Sequence, residues 1–250
     1  MIKRSEVLFS TIIVLVMLLI GIWISGGISE LASQTAEMYN TATIISDEDQ
    51  FRYGMDTSFG NALVYGDVVS DSLVTFDEIG NGYIYIEKVR EEYTRHTRTV
   101  TKTDKNGNKY TETEVYYTWD YDSMEGRSVD TIYFLGVEFD YGLIELPVYT
   151  LDLSAAGVKN HRSNYIYTRS DVRYYYRVTP NNLTGTVFAT LKDKTIERPS
   201  DLYADMTPQE VIESKQKSEA VALVVFWVLW VGLIVFIVYK FVEASNYWLD

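Results

Sequence analysis

The sequence predicts a membrane-anchored, mainly β protein: an antiparallel β-rich extracytoplasmic domain with a long β-hairpin, flanked by two helical stalks continuous with transmembrane helices. Three observations predict it. An uncharged apolar run lies near each end, "VLFSTIIVLVMLLIGIWI" from position 7 and "AVALVVFWVLWVGLIVFIVY" from position 220. Between them the chain breaks into short apolar and aromatic runs punctuated by Gly, Asn, Asp and Pro. Within that region, "EEYTRHTRTVTKTDKNGNKYTETEVYYTW" (91–119) alternates its side chains around one Asn-Gly pair and holds almost no aliphatic residue.

A helix of about 20 apolar residues crosses the roughly 30 Å hydrocarbon core of a bilayer. Leu, Ile, Phe and Val each favour insertion by roughly 0.3 to 0.6 kcal/mol at its centre. Residues 7–28 and 220–239 are accordingly expected to be transmembrane helices. A cleaved signal peptide is the competing reading of the first run, because Lys3 and Arg4 resemble its charged start. The apolar core is longer than the roughly 7 to 15 residues of such peptides, and "SGGISELASQTA" offers no convincing cleavage site, so an uncleaved anchor is expected.

Two spans place both termini on one side. Lys3, Arg4 and Lys240 beside the apolar runs assign that side to the cytoplasm of the cell membrane and residues 29–219 to the outside. Lys215 and Lys217 weigh the other way and are offset by Glu210, Glu213 and Glu219.

The region between the spans is long enough for one sizeable core. The chain contains no cysteine, which excludes disulfides, Cys-zinc sites and thiol catalysis and leaves stability to packing. A cysteine-free ectodomain suits a bacterial or phage-encoded protein. The formal net charge of −13 argues against nucleic acid as a general partner, since phosphate binding needs a basic face. The 21 tyrosines suit half-buried strand faces, where the ring packs and the hydroxyl stays wet.

After the first span, Ile28, Leu31, Ala32, Thr35, Met38 and Tyr39 recur at helical spacing and predict a helical stalk within 29–45. The β-rich domain is expected over 46–206. Its opening strands are read at 62–69, 72–76 and from Tyr83 into the ribbon, broken by Gly66, Asp71 and "GNG" at 80–82. Asn106-Gly107 is the preferred pair for a two-residue type I′ turn, because both residues need positive φ. Centred there, the turn pairs Asp104 with Lys109, Thr103 with Tyr110, Thr97 with Tyr116 and Thr94 with Trp119. An arm of about a dozen residues per side reaches on the order of 40 Å.

"TIYFLGVEFDYGLIELPVYTLDL" reads as core strands, and 164–180 and 184–196 supply at least two more. At "MTPQEVIESKQKSEAVALVV" the chain returns to helix: Thr207 caps, Pro208 takes the first helical position and Glu210 completes a capping box. Residues 207–219 then form a stalk of about 18 Å leading into the second span, with 240–250 as a short tail.

Few residues point to chemistry. His96 and His161 stand far apart with no ligand pattern around them, so no metal is expected. "DKNGNK" fails as a calcium loop because glycine is fourth rather than sixth and Val115 stands where the bidentate Glu belongs. Acidic clusters at Asp47, Glu48 and Asp49, at Asp77 and Glu78, and at Asp120, Asp122 and Glu125 could supply a hydrolase's carboxylate pair, but an acidic chain shows such clusters as solvated loops. No "GxSxG" elbow or nucleotide-binding glycine motif occurs, and neither cofactor nor catalytic residue is assigned.

The ribbon carries the clearest asymmetry. From 88 to 109, seven Lys and Arg face three acids in an otherwise acidic chain. Arg95, Arg98, Lys102, Lys105 and Lys109 are expected to dock on a neighbouring copy, on anionic membrane lipid or on wall polymer, with Tyr93, Tyr110, Tyr116 and Trp119 as aromatic contacts. Trp119 also has a plain reading as core. A third possibility is a lipid or small-ligand binder between the domain and the bilayer, with an apolar pocket lined by residues such as Phe134, Phe139 and Tyr141.

The order of parts resembles the Luma family of membrane proteins. "VYGDVVSDSLVTFDE" leads into a strand, "VREEYTRHTRTV" and "YYTW" match a Tyr-rich, charged hairpin ending in Trp, and "RSDVRYYYRVTP" precedes "GTVFATL". "DMTPQEVIESKQKSEAVALVVFWVLW" then runs from a cap into apolar helix. The plan is also similar to the domain held between two spans in GIDE-type ubiquitin ligases. Departures are a single C-terminal span, where Luma proteins carry several, and the absence of the ligases' cysteine-rich RING finger. The resemblance implies a β-rich domain beside a membrane, used for assembly or sensing, and transfers no catalytic residue. The expectation is a non-enzymatic scaffold or interaction module that self-associates or binds an envelope partner.

Overall fold

The computed structural model describes residues 4–197 and 200–247. Of the flanking charges, Lys3 and the side chains of Arg4 and Glu219 lie outside the described residues, as do positions 248–250 of the tail.

A β-rich body sits between two long terminal helices. The larger of its two sheets is built around β2 (Gly60–Val69) and β11 (Leu183–Lys192), which pair antiparallel from Gly60 with Leu191 to Val68 with Leu183. Alternation fixes what each face does. Ala62, Val64, Val68, Val187, Ala189 and Leu191 turn inward and are buried together, while Leu63 turns to the opposite face. β5 (Thr131–Phe134) and β6 (Val137–Asp140) form a hairpin on the end of β2 through a Leu135-Gly136 turn with φ of 47° and 76°. β13 (Ser200–Ala204) continues the sheet beyond β11, and β12 (Thr195–Ile196) folds back on β11. Two short pairings are parallel, β1 (Thr43–Ile45) with β2 and β7 (Ile144–Glu145) with β13; the others are antiparallel.

The inner face is closed by α2 (Glu48–Asp56), a nine-residue helix the sequence reading passes over. Asp47 caps it by accepting from the Gln50 N–H (3.0 Å), and Glu48 and Asp49 oppose the positive end of its dipole. Phe51 and Met55, four residues apart, share its buried face. Phe51 meets Phe134 edge-on at 5.9 Å and Phe139 at 6.0 Å. Phe134 and Phe139 are thus core, not the lining of a ligand pocket, and Tyr141 stacks on Tyr85.

The second sheet holds β3 (Tyr85–Thr103), β4 (Lys109–Ser128), β8 (Tyr149–Thr150), β9 (Ile166–Arg169) and β10 (Val172–Thr179). A separate cluster of Phe76, Ile79, Ile86, Leu153, Tyr176 and Val178 lies beneath it. The expected strand at 72–76 is reduced to one bridge, Val74 with Tyr83, because the chain turns at once through Phe76 to Ile79.

The helix α1 (Arg4–Asn40) joins the first apolar run and its stalk without a break and ends before β1. In α3 (Pro208–Tyr247) the capping box is formed: Thr207 Oγ1 faces the Glu210 N–H (3.4 Å), and Glu210 accepts from the Thr207 N–H (2.8 Å). Both helices are long and apolar enough to cross a membrane. They lie side by side and antiparallel, with Phe9 near Phe241, Trp230 Nε1 donating to the Met17 carbonyl (2.9 Å) and Gln216 bonded to Asn40 (3.1 Å). Gly21 sits under Trp230 and Trp227, where a larger residue would collide; Gly26, Gly27 and Gly232 face no neighbour.

Phe51 carries the inner core, so Phe51→Ala is expected to cost about 3 to 5 kcal/mol. Urea unfolding in detergent, followed by near-ultraviolet dichroism, checks the value; a loss near zero would show that α2 is not part of the core.

Candidate functional site: the hairpin arm

What lies beside β3 decides where the arm begins. From Tyr85 to Glu92 it is bonded to β10 on one side and β4 on the other. The Tyr93 N–H still reaches the Asp171 carbonyl (2.9 Å), and beyond it β3 has β4 alone. Residues 94–103 and their partners 109–118 therefore stand clear as a two-stranded ribbon about 33 Å long.

The Asn-Gly pair lies at the apex, but in a three-residue loop. Thr103 pairs with Lys109, and the Asp104 N–H donates to the Asn108 carbonyl (2.9 Å). Gly107 donates to the Asp104 carbonyl (3.1 Å) and takes φ of 85°, a turn followed by a left-handed residue. Asp104 selects this geometry, because its carboxylate accepts from the backbone N–H groups of Asn106 and Asn108, each at 2.8 Å. Those contacts, the one from Asn108 foremost, hold its carboxyl below the usual range.

The register consequently moves by one residue from the expected pairing. Thr97 opposes Val115, Thr94 opposes Thr118, and Trp119 opposes Tyr93. Such a shift changes which residues share a face. Near the base a bulge at Arg90 and Glu91 adds Asp122 to β4, and Arg90 bonds both Asp122 and Glu92.

The face of even-numbered residues is internally neutralised. Arg98 pairs with Glu114 (3.0 Å) and lies 5.8 Å over Tyr116; Lys102 reaches Glu112 (2.8 Å) and Glu114 (3.0 Å). Lys102 and Arg98 lower the Glu114 carboxyl, while Glu112 and Glu114 raise the Lys102 ammonium. His96 stacks on Tyr116 at 5.3 Å. Tyr110 stands opposite Lys102.

The face of odd-numbered residues is different. It carries Tyr93, Arg95, Thr97, Thr99, Thr101 and Thr103 on β3, with Lys109, Thr111, Thr113, Val115, Tyr117 and Trp119 on β4. It holds no carboxylate, and all but Trp119 are exposed. Trp119 is a half-buried rim residue rather than core: it contacts Tyr93 (5.2 Å) and Tyr167 (5.8 Å) and lies 4.3 Å from the Arg173 guanidinium. Arg173 also covers Tyr165 at 3.8 Å and pairs with Glu91 at 2.6 Å.

The structure thus divides the five basic positions. Arg98 and Lys102 are engaged with the return strand, whereas Arg95, Lys105 and Lys109 make no ion pair among the described residues. Over 91–119 the five cations are matched by Glu91, Glu92, Asp104, Glu112 and Glu114. The positive asymmetry belongs to one face, not to the arm as a whole.

Several carboxylates of the acidic clusters have side-chain partners. Glu48 pairs with Arg52 (2.8 Å), Glu78 with Lys88 and Tyr176, and Glu125 with Arg127 (2.9 Å). Asp120 accepts from Thr118 (2.7 Å) and meets His96 Nε2 at 2.6 Å. Thr94 contacts that same nitrogen (2.9 Å), so hydroxyl and carboxylate do not sit on opposite sides of the imidazole as a nucleophile relay needs. An open cavity of about 520 Å³ is lined by Glu48, Asp67, Asp71 and Tyr133. Among the described residues no His, Asp and Glu converge as metal ligands do.

No family model, curated protein or solved structure matches the chain. The sequence reading missed Tyr117, Tyr165, Tyr167 and Arg173 as parts of the aromatic face. Their strand periodicity was legible, but the register joining β9 and β10 to the arm was not.

Depressed Asp104 and Glu114 carboxyls contribute stability that is full above their unfolded pKa values of about 4 and is lost as pH falls through the lower folded values. The arm is therefore expected to hold from pH 8 to 5 and loosen only below about 4. Amide exchange at Gly107 and Glu114 measures this, and Asp104→Asn is expected to weaken the turn throughout that range.

Proposed function

We propose that the chain is a two-pass membrane protein with both termini in the cytoplasm. Its β body lies outside and presents the hairpin arm as an interaction module for self-assembly or for an envelope partner. The observation that carries this is the exposed ribbon. An isolated two-stranded hairpin is marginal in water, and strand edges free on both sides are templates for association. This one also exposes Tyr110, Val115 and Tyr117 to 48%, 47% and 51%. Exposed aromatic and basic residues of this kind supply the anchors of many interfaces.

The two apolar helices support the anchoring, and the charges flanking them support the orientation. The ordered similarity of parts to the Luma family is in keeping with a domain used beside a membrane. The unpaired cations Arg95, Lys105 and Lys109, on an arm attached to a strongly acidic chain, support contact with acidic surfaces, including that of a second copy.

Light scattering of the detergent-purified protein at low and high salt tests the reading. The intact chain is expected to form a salt-sensitive oligomer, because exposed charge contacts weaken as the Debye length shrinks. A chain in which Asn-Gly replaces 95–117 is expected to be monomeric with an unchanged melting profile. Arg95→Glu, Lys105→Glu and Lys109→Glu together are expected to match it, since none of the three has an ion-pair partner to lose within the arm. An oligomer that survives removal of the arm overturns the proposed role.

A further inference from the structure

The odd-numbered face of the arm has a composition that a generic contact surface does not explain. Its middle is a ladder of threonines: Thr99 opposes Thr113 and Thr101 opposes Thr111, flanked by Thr97 and Thr103. Each hydroxyl can donate and accept, and all are exposed. Toward the body the ladder meets the rings of Tyr117, Tyr93 and Trp119, and the solvent face of the sheet continues them through Tyr167 and Tyr165. The charge is of one sign. Arg95 stands among the rings and Lys109 at the far end of the ladder, while the acids at the base of this side are paired, Glu91 with Arg173 and Asp171 with Arg169.

We infer that this face binds an anionic polysaccharide. The inference rests on the arm being the interaction element and names its ligand. Charge complementarity selects a polyanion: in a chain of net charge −13, this face alone of the arm offers cations without carboxylates. The hydroxyl ladder selects sugars among polyanions. An apolar protein surface would strip water from six threonine hydroxyls without replacing their hydrogen bonds, which is costly. A sugar polymer presents hydroxyls that can serve as donor or acceptor along its whole length. Tyrosine and tryptophan rings suit the apolar sides of sugar rings while their own polar groups stay bonded or wet. A ribbon about 33 Å long suits an extended polymer better than a compact ligand.

The test uses the full chain in detergent and titrates polygalacturonate, neutral dextran, poly-L-glutamate and single-stranded poly(dT), with binding read by calorimetry. Polygalacturonate is expected to bind more tightly than the other three. Arg95→Gln with Lys109→Gln is expected to weaken it roughly thirtyfold, as loss of two basic contacts to an anionic surface implies. Tyr117→Ser is expected to weaken it as well, whereas Tyr116→Ser on the opposite face leaves it unchanged. Unaltered circular dichroism shows that each variant is folded.

Absence of polygalacturonate binding overturns the inference. So does equal binding of poly-L-glutamate, which would mean that charge alone is read, or tighter binding of poly(dT). Equal losses from Tyr116→Ser and Tyr117→Ser overturn the assignment to this face. The Asn-Gly variant lacking 95–117 separates the two claims. If polygalacturonate fails to bind while arm-dependent association persists, only the ligand is wrong. If removing the arm changes neither association nor binding, both readings fall.

Discussion

Everything distinctive about this molecule depends on the ladder between β3 and β10. Eight residue pairs, from Tyr85 with Thr179 to Glu92 with Val172, hold the inner part of a 19-residue strand, and the outer part is free. A ribbon of two strands has little stability of its own, so the clamp at its root sets whether it stands in one direction or collapses. The clamp is reinforced at its last turn by Arg173, which is packed between Trp119 and Tyr165 and bonded to Glu91, with only 16% and 17% of the two charged side chains exposed. Arginine suits this place because its planar group stacks on rings while donating in its own plane.

A second junction ties the body to the helices. Tyr39 of α1 stacks on Phe188 at 4.1 Å and shares a hydrogen bond with Tyr203 of β13 (2.7 Å). Lys215 of α3 lies about 5 Å from both rings, at 5.0 and 4.8 Å. Burial, with the Tyr203 contact behind it, pushes the Tyr39 phenol far above its ordinary value, so its hydroxyl stays protonated beneath the Lys215 ammonium. Leu63, on the outer face of β2, and Val211, in the first turns of α3, complete the contact. The two helices therefore meet one side of the large sheet, while the hairpin leaves from the other sheet.

Legibility in the sequence followed the range of the interaction. The apolar runs, the capping box at Thr207 and Glu210 and the hairpin at Asn106-Gly107 are local patterns, and each was readable. The helix at 48–56 was too short for its period to stand out, although Asp47 followed by Glu48 and Asp49 was a usable start signal. The parallel partners β1 and β7 are two or three residues long and owe their existence to the strands they lie against. The register of the arm was lost to a single side chain: Asp104 bonds the loop backbone and draws Asn108 into the turn. Counting charges from 88 to 109 likewise gives an asymmetry that the rest of the return strand largely cancels, because pairing partners of a residue lie on another stretch of chain.

Because side chains alternate strictly along β3 and β4, the arm's two faces are interlocked with its length. Adding one residue to a strand between the bulge at Asp122 and the loop would exchange the ion-paired surface with the threonine surface from that point outward. Adding two would restore both. Under mutation, an arm of this kind can grow or shrink while keeping its character only in steps of two per strand, or by passing through a second bulge that corrects the phase.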